Sequence, residues 1–277
     1  MAAILLALAA SVGWGVSDFL GGLKSRTLPL VAVQILSLLA GFVVTLPALM
    51  LHGEGPPGAW KLVYGVLSGA LGAVGIAAFY RGLAIGAMGI VAPISATAPV
   101  VPVVIGLARG EQPSVLQLAG IALALIGIVL VGQEPGEETR RFALGAGLAL
   151  LAAGCFGVAL FGISEASKGD PYWAALALRV GAVVAIGVAV PAFRPPLGAA
   201  LRAWPAIAAI GILDAGSTLL YAVATTRGLL SVVVVLASLY PVTIVLLARA
   251  VLSERLASLQ LAGAAAALAG AAFISAG

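Results

Sequence analysis

Ten apolar stretches, each near the ~20 residues a helix needs to cross the hydrocarbon core of a bilayer, follow one another along this 277-residue chain. They cover residues 3–21, 30–51, 59–80, 88–108, 114–132, 142–164, 171–193, 204–226, 230–249 and 259–275, separated by short polar punctuation. Charged residues make up 9% of the chain against 62% apolar ones, where a soluble domain carries roughly 25% and 45–50%. So little polar surface excludes a soluble enzyme, a nucleic-acid-binding domain and a disordered segment. The runs are continuous rather than alternating with period two, which excludes an outer-membrane barrel. A bilayer offers no water to backbone N–H and C=O groups, so each run must close its hydrogen bonds internally as a helix. The expected fold is an all-α integral membrane protein with ten transmembrane helices. No Lys or Arg precedes the first run, so it reads as a retained span rather than a cleaved signal, which opens on a basic segment.

The chain also repeats itself. Leu116-Gln117-Leu118-Ala119-Gly120 returns unchanged as Leu259-Gln260-Leu261-Ala262-Gly263, an offset of 143, and Glu111 falls on Glu254 at the same offset. At 142, Trp14-Gly15-Val16 meets Phe156-Gly157-Val158, Phe19 meets Phe161, Pro29 meets Pro171 and Pro99 meets Pro241. An Ala/Leu/Gly-rich chain matches itself by chance easily, but not at Trp/Phe, Gln, Glu and Pro together. Residues 1–132 and 142–277 are therefore expected to be two copies of a five-helix unit, joined by 133–141. Five is odd, so the second copy enters from the opposite side. The halves become inverted repeats, with a binding site expected near the midplane where they meet.

These residues carry a family resemblance. Trp14-Gly15 in the first span, Pro99 in the fourth, and Gly110-Glu111 leading to Leu116-Gln117-Leu118-Ala119-Gly120 recur in the second half as Tyr240-Pro241, Glu254-Arg255 and Leu259-Gln260-Leu261-Ala262-Gly263. In this order and spacing the chain resembles the drug/metabolite transporter superfamily, in its ten-helix EamA-type branch, over essentially its whole length. The resemblance implies ten helices, no cofactor, and movement of small organic solutes, often amino acids and usually outward, across the cell (inner) membrane as a multi-pass protein. The expected function is a secondary active or facilitative transporter, an exporter of small polar metabolites such as amino acids working by alternating access. The alternatives are a multidrug exporter of lipophilic cations and a sugar uptake carrier. The partners are a small-molecule substrate, the lipid bilayer and protons as a coupling ion, with no nucleic acid. Family members are expected to keep both termini in the cytoplasm. Loops after odd-numbered spans hold nine Lys and Arg against four on the other side, which by the positive-inside rule gives the opposite orientation. The orientation stays open.

A charge within a span is costly and needs a reason. Asp18, Arg179 and Asp214 lie clearly inside the runs. A central carboxylate and guanidinium suit a zwitterion, the acid facing an ammonium and the planar fork gripping a carboxylate. A desolvated carboxylate also suits a coupling proton. The alternative is an Arg179–Asp214 salt bridge that ties two helices together. Trp14, Tyr221 and Tyr240 are aromatic candidates for the same path, with Ser217 beside Asp214. Ser95 and Thr97 sit between Pro93 and Pro99, with Pro102 a turn later. Prolines remove backbone donors and kink a helix, so the fourth span is expected to bend and to line a cavity with one of these hydroxyls. Glu111 and Glu254 read as helix caps or partners of Arg109 and Arg255. His52 reads as a solvated loop residue and Cys155 as a small packing residue. Gly65 and Gly69, four apart, let helices approach closely. One His and one Cys, with no H-E-x-x-H, G-x-S-x-G or phosphate-binding loop, argue against an enzyme, a metal site or an ATP-driven pump.

Overall fold

The computed structural model describes residues 1–25, 27–84, 95, 97–131, 142–193, 196–252 and 258–277. The described residues form thirteen helices and no strand: α1 Ala2–Ser25, α2 Leu30–Ala40, α3 Phe42–His52, α4 Ala59–Ala84, α5 Val100–Ala108, α6 Val115–Val131, α7 Phe142–Ser167, α8 Pro171–Phe193, α9 Gly198–Arg202, α10 Trp204–Thr225, α11 Leu230–Ala237, α12 Tyr240–Leu252 and α13 Ser258–Ala276. Six segments of the described residues are helical, long and apolar enough to cross a membrane: Ala2–Ser25, Leu30–His52, Ala59–Phe79, Gly147–Ser167, Pro171–Val188 and Trp204–Thr225. Shorter apolar helices run over Val115–Leu130, Leu230–Ile244 and Leu261–Ala276.

Two expected spans are broken, the second without a proline at the break and the ninth just before one. The second divides at Gly41 into α2 and α3. The ninth turns at Ser238 and Leu239 between α11 and α12, where Pro241 has no N–H to give the carbonyl of Ala237. In the fourth, residues 97–99 form a turn ahead of α5, and Pro102 is buried. Pro93, the 133–141 connection, Glu254 and Arg255 lie outside the described residues.

Small residues set the helix packing. A Cβ on Gly69 of α4 would overlap the carbonyl of Leu178 on α8, and one on Gly65 would come within 2.6 Å of the Ala177 Cβ. Between α6 and α13, a Cβ on Gly120 would lie 2.7 Å from the Gly270 carbonyl, and one on Gly127 2.6 Å from that of Gly263. The two helices therefore run antiparallel. Adding the 143-residue offset to Gly120 and Gly127 gives Gly263 and Gly270, so the offset carries one contact onto the other. Tight glycine seams of this kind replace the hydrophobic drive that lipid cannot supply between helices.

Candidate functional site

Arg179 on α8 and Asp214 on α10 meet, as the cost of isolated charges in a span requires. Nη2 of Arg179 donates to Oδ2 of Asp214 at 2.8 Å, and Nη1 donates to the carbonyl of Leu38 on α2 at 3.2 Å. Gly41 makes the seat, because a Cβ there would collide with the guanidinium. The break between α2 and α3 thus coincides with the place where the cation lodges. Arg179 is fully buried, and its Nε has no partner among the described residues. The Asp214 side chain, by contrast, keeps 38% of its surface open. The two are joined as a salt bridge between helices. The guanidinium has no exposed surface in this structure, whereas the zwitterion reading expects its fork to face a substrate carboxylate.

Helix α1 packs along α10. Ser17 donates its hydroxyl to the carbonyl of Ile210 at 3.0 Å, and Gly13 leaves no room for a Cβ beside the Ser217 hydroxyl. Ser217 is thus buried in this seam rather than turned toward open space. One face of α1 carries Trp14 and, a turn on, Asp18. The Trp14 ring tilts against Tyr221, with centroids 5.6 Å apart. Tyr221 is fully buried and donates its hydroxyl to the Leu160 carbonyl at 3.0 Å. Asp18 interacts electrostatically with Asp214, and its own surface is exposed.

A small, partly open pocket of about 40 Å³ lies next to this region, lined by Ser95 and Pro99 from the first half and by Ser238, Tyr240 and Pro241 from the second. The matched prolines Pro99 and Pro241 thus share one pocket. Ser95 is buried, and its hydroxyl has no partner among the described residues. Leu160, which accepts the Tyr221 hydroxyl, also lines the pocket and so links it to the charged region. Thr97 is half-buried and is not among the pocket's lining residues.

One end of the bundle is closed by polar contacts that the sequence did not reveal. Glu165 accepts Arg109 Nη1 at 2.6 Å and Lys168 Nζ at 2.7 Å, while Lys61 Nζ donates to its carbonyl at 3.1 Å. Glu111 accepts the first backbone N–H groups of α11, from Leu230 at 2.7 Å and Ser231 at 2.9 Å. It is a cap, as expected, but of a helix in the other half of the chain, and Arg109 pairs elsewhere. His52 corrects its reading as a solvated residue. It hydrogen-bonds Asp170 at 2.6 Å and stacks on Tyr172 with centroids 4.2 Å apart. Asp170 at the same time caps α8 by accepting the N–H groups of Tyr172 and Trp173.

A model of the EamA-like transporter family matches the sequence twice, over residues 1–133 and 143–276. No curated protein matches it. A solved crystal structure, 18% identical, superposes with a TM-score of 0.80, covering 98% of this chain and 95% of its own. At that identity the likeness concerns the fold alone.

Proposed function

We propose a function from one premise: this chain belongs to the EamA-like transporter family, a branch of the drug/metabolite transporter superfamily. It is a membrane transporter, with a small-molecule substrate and membrane lipid as its partners. Our reading is an exporter of small polar metabolites, amino acids foremost, that works by alternating access and uses protons as the coupling ion. It resides as a multi-pass protein in the inner membrane. Two inverted five-helix repeats, 1–132 and 142–277, would supply the two alternative openings. The reciprocal glycine contacts between antiparallel α6 and α13 support this, because a two-fold axis relating antiparallel helices is perpendicular to both.

The observation that carries the reading is the open carboxylate of Asp214, held by Arg179 and faced by Asp18, within membrane-spanning helices. Trp14 packs on the buried Tyr221 beside them, and the Ser95 and Tyr240 pocket lies beyond Leu160. Arg179 takes part by fixing Asp214. The test is efflux of labelled amino acids from preloaded proteoliposomes, with and without a proton gradient. Efflux by the wild type and its loss in Asp18→Asn and Asp214→Asn, both still folded, is the expected result. Efflux unchanged in both variants would remove these carboxylates from the path.

A further inference from the structure

Resting on the reading of this region as the substrate path, we propose that it recognises its substrate through a positively charged group, an ammonium, and that Arg179 does not pair with a substrate carboxylate. The charges are unequally presented. Arg179 has no exposed surface: Gly41, the Leu38 carbonyl and Asp214 enclose its guanidinium. Asp214 spends one side on that cation and leaves 38% of its side chain open. Asp18 is exposed, interacts with Asp214 and has no cation of its own among the described contacts. Among the described residues, the charge of Arg179 is withdrawn and the oxygens left open are those of Asp214 and Asp18. A substrate therefore meets carboxylate oxygens first.

Two further features suit an amine with an organic body. The Trp14 ring stands one turn from Asp18, where its face can hold an ammonium beside the acid. About 10 Å along α10 from Asp214, by its helical rise, Tyr221 bonds to Leu160, which lines the pocket where the buried Ser95 hydroxyl lacks a partner among the described residues. An orphaned buried hydroxyl asks for a ligand atom or water. The class that fits is an amine, free or as the amino group of an amino acid, whose body is largely apolar and has one hydrogen-bonding atom.

The test reads the sign of the cavity directly. Gly22 lies one turn beyond Asp18 on α1, and a Cβ there meets nothing within 4 Å. Gly22→Cys is made in a Cys155→Ala background, because Cys155 is the only native cysteine. The full-length protein in liposomes is then modified with a cationic and an anionic methanethiosulfonate reagent of similar size. The expected result is faster modification by the cationic reagent. That preference should fall roughly tenfold in Asp18→Asn, as removing one charge a turn away changes the potential felt by two opposite charges. Lys24 lies on the other side of α1 and is the same in both proteins. Asp214→Asn gives a second reading if Asp18→Asn folds poorly. An anionic preference, a preference indifferent to both variants, or no modification by either reagent would overturn the proposal. Modification needs no transport, so the two readings fail separately. A cation-preferring cavity in a protein that moves no amino acid removes only the export reading, and export through an anion-preferring cavity removes only this one.

Discussion

Replacing Gly41 by alanine changes a single methyl group, yet it addresses the seat of the buried cation. On helix propensity alone, alanine would stabilise the segment by up to ~1 kcal/mol. The added Cβ, however, falls on the guanidinium of Arg179. The side chain must then leave, giving up its 2.8 Å bond to Asp214 and its 3.2 Å bond to Leu38. Breaking a buried pair costs about 3–5 kcal/mol. Asp214, with 38% of its side chain open, recovers some hydration, so the net destabilisation should be roughly 2–3 kcal/mol by the same reasoning. Arg179→Ala should cost a similar amount, since it also leaves Asp214 without its partner. In the double variant the new methyl group occupies vacated space, so Gly41→Ala should add nothing and can restore part of the loss. The assay is equilibrium unfolding in mixed micelles across the double-mutant cycle. Gly22→Ala serves as a control, because a Cβ there meets nothing within 4 Å. Costs for the two single changes that add to within about 0.5 kcal/mol would refute the idea that Gly41 acts through Arg179.

Other substitutions give equally direct readings. Gly69→Ala drives a Cβ into the Leu178 carbonyl and should cost more than about 2 kcal/mol by overpacking, whereas Gly72→Ala, which meets nothing within 4 Å, should be neutral or mildly stabilising; thermal unfolding of the pair separates them. Tyr221→Phe removes the hydroxyl bonded to Leu160 but leaves the ring against Trp14, so it should cost about 1 kcal/mol in an unfolding titration. Glu111→Ala uncaps α11 and should cost about 1–2 kcal/mol; a loss below a few tenths in the same measurement would show that water replaces the carboxylate.

The sequence carries the all-helical membrane class on its face, because apolar length and poverty of charge are one-dimensional properties. The tight seam at Gly65 and Gly69 is legible for the same reason: a four-residue spacing is a helix face. The break at Gly41 is not, since it lies inside an unbroken apolar run and coincides with what packs against it, whereas the turn at Ser238 has its mark in Pro241. The Arg179–Asp214 pair is legible from cost alone. Its third member is the carbonyl of Leu38, and a backbone oxygen has no residue letter to betray it. His52 and Asp170 stand 118 residues apart, and Glu111 caps a helix starting 119 residues later. Local pattern can say that a carboxylate will cap something, but only the fold says which helix. The inequality that matters most, a closed guanidinium beside an open carboxylate, is a property of surfaces and not of composition.

The loop at 109–114 reaches from one half of the chain into the other, through Glu111 to the start of α11 and through Arg109 to Glu165 on α7. Such a loop works as a linkage. Neither helix can swing away at that end unless the loop travels with it or lets go of both. Charge-assisted bonds are individually modest, about 1.5–3 kcal/mol each, but a linkage that releases them together turns their sum into one activation step. On the alternating-access reading proposed above, residues of this kind would set the tempo of the cycle and leave the grip on cargo to the side chains further inside.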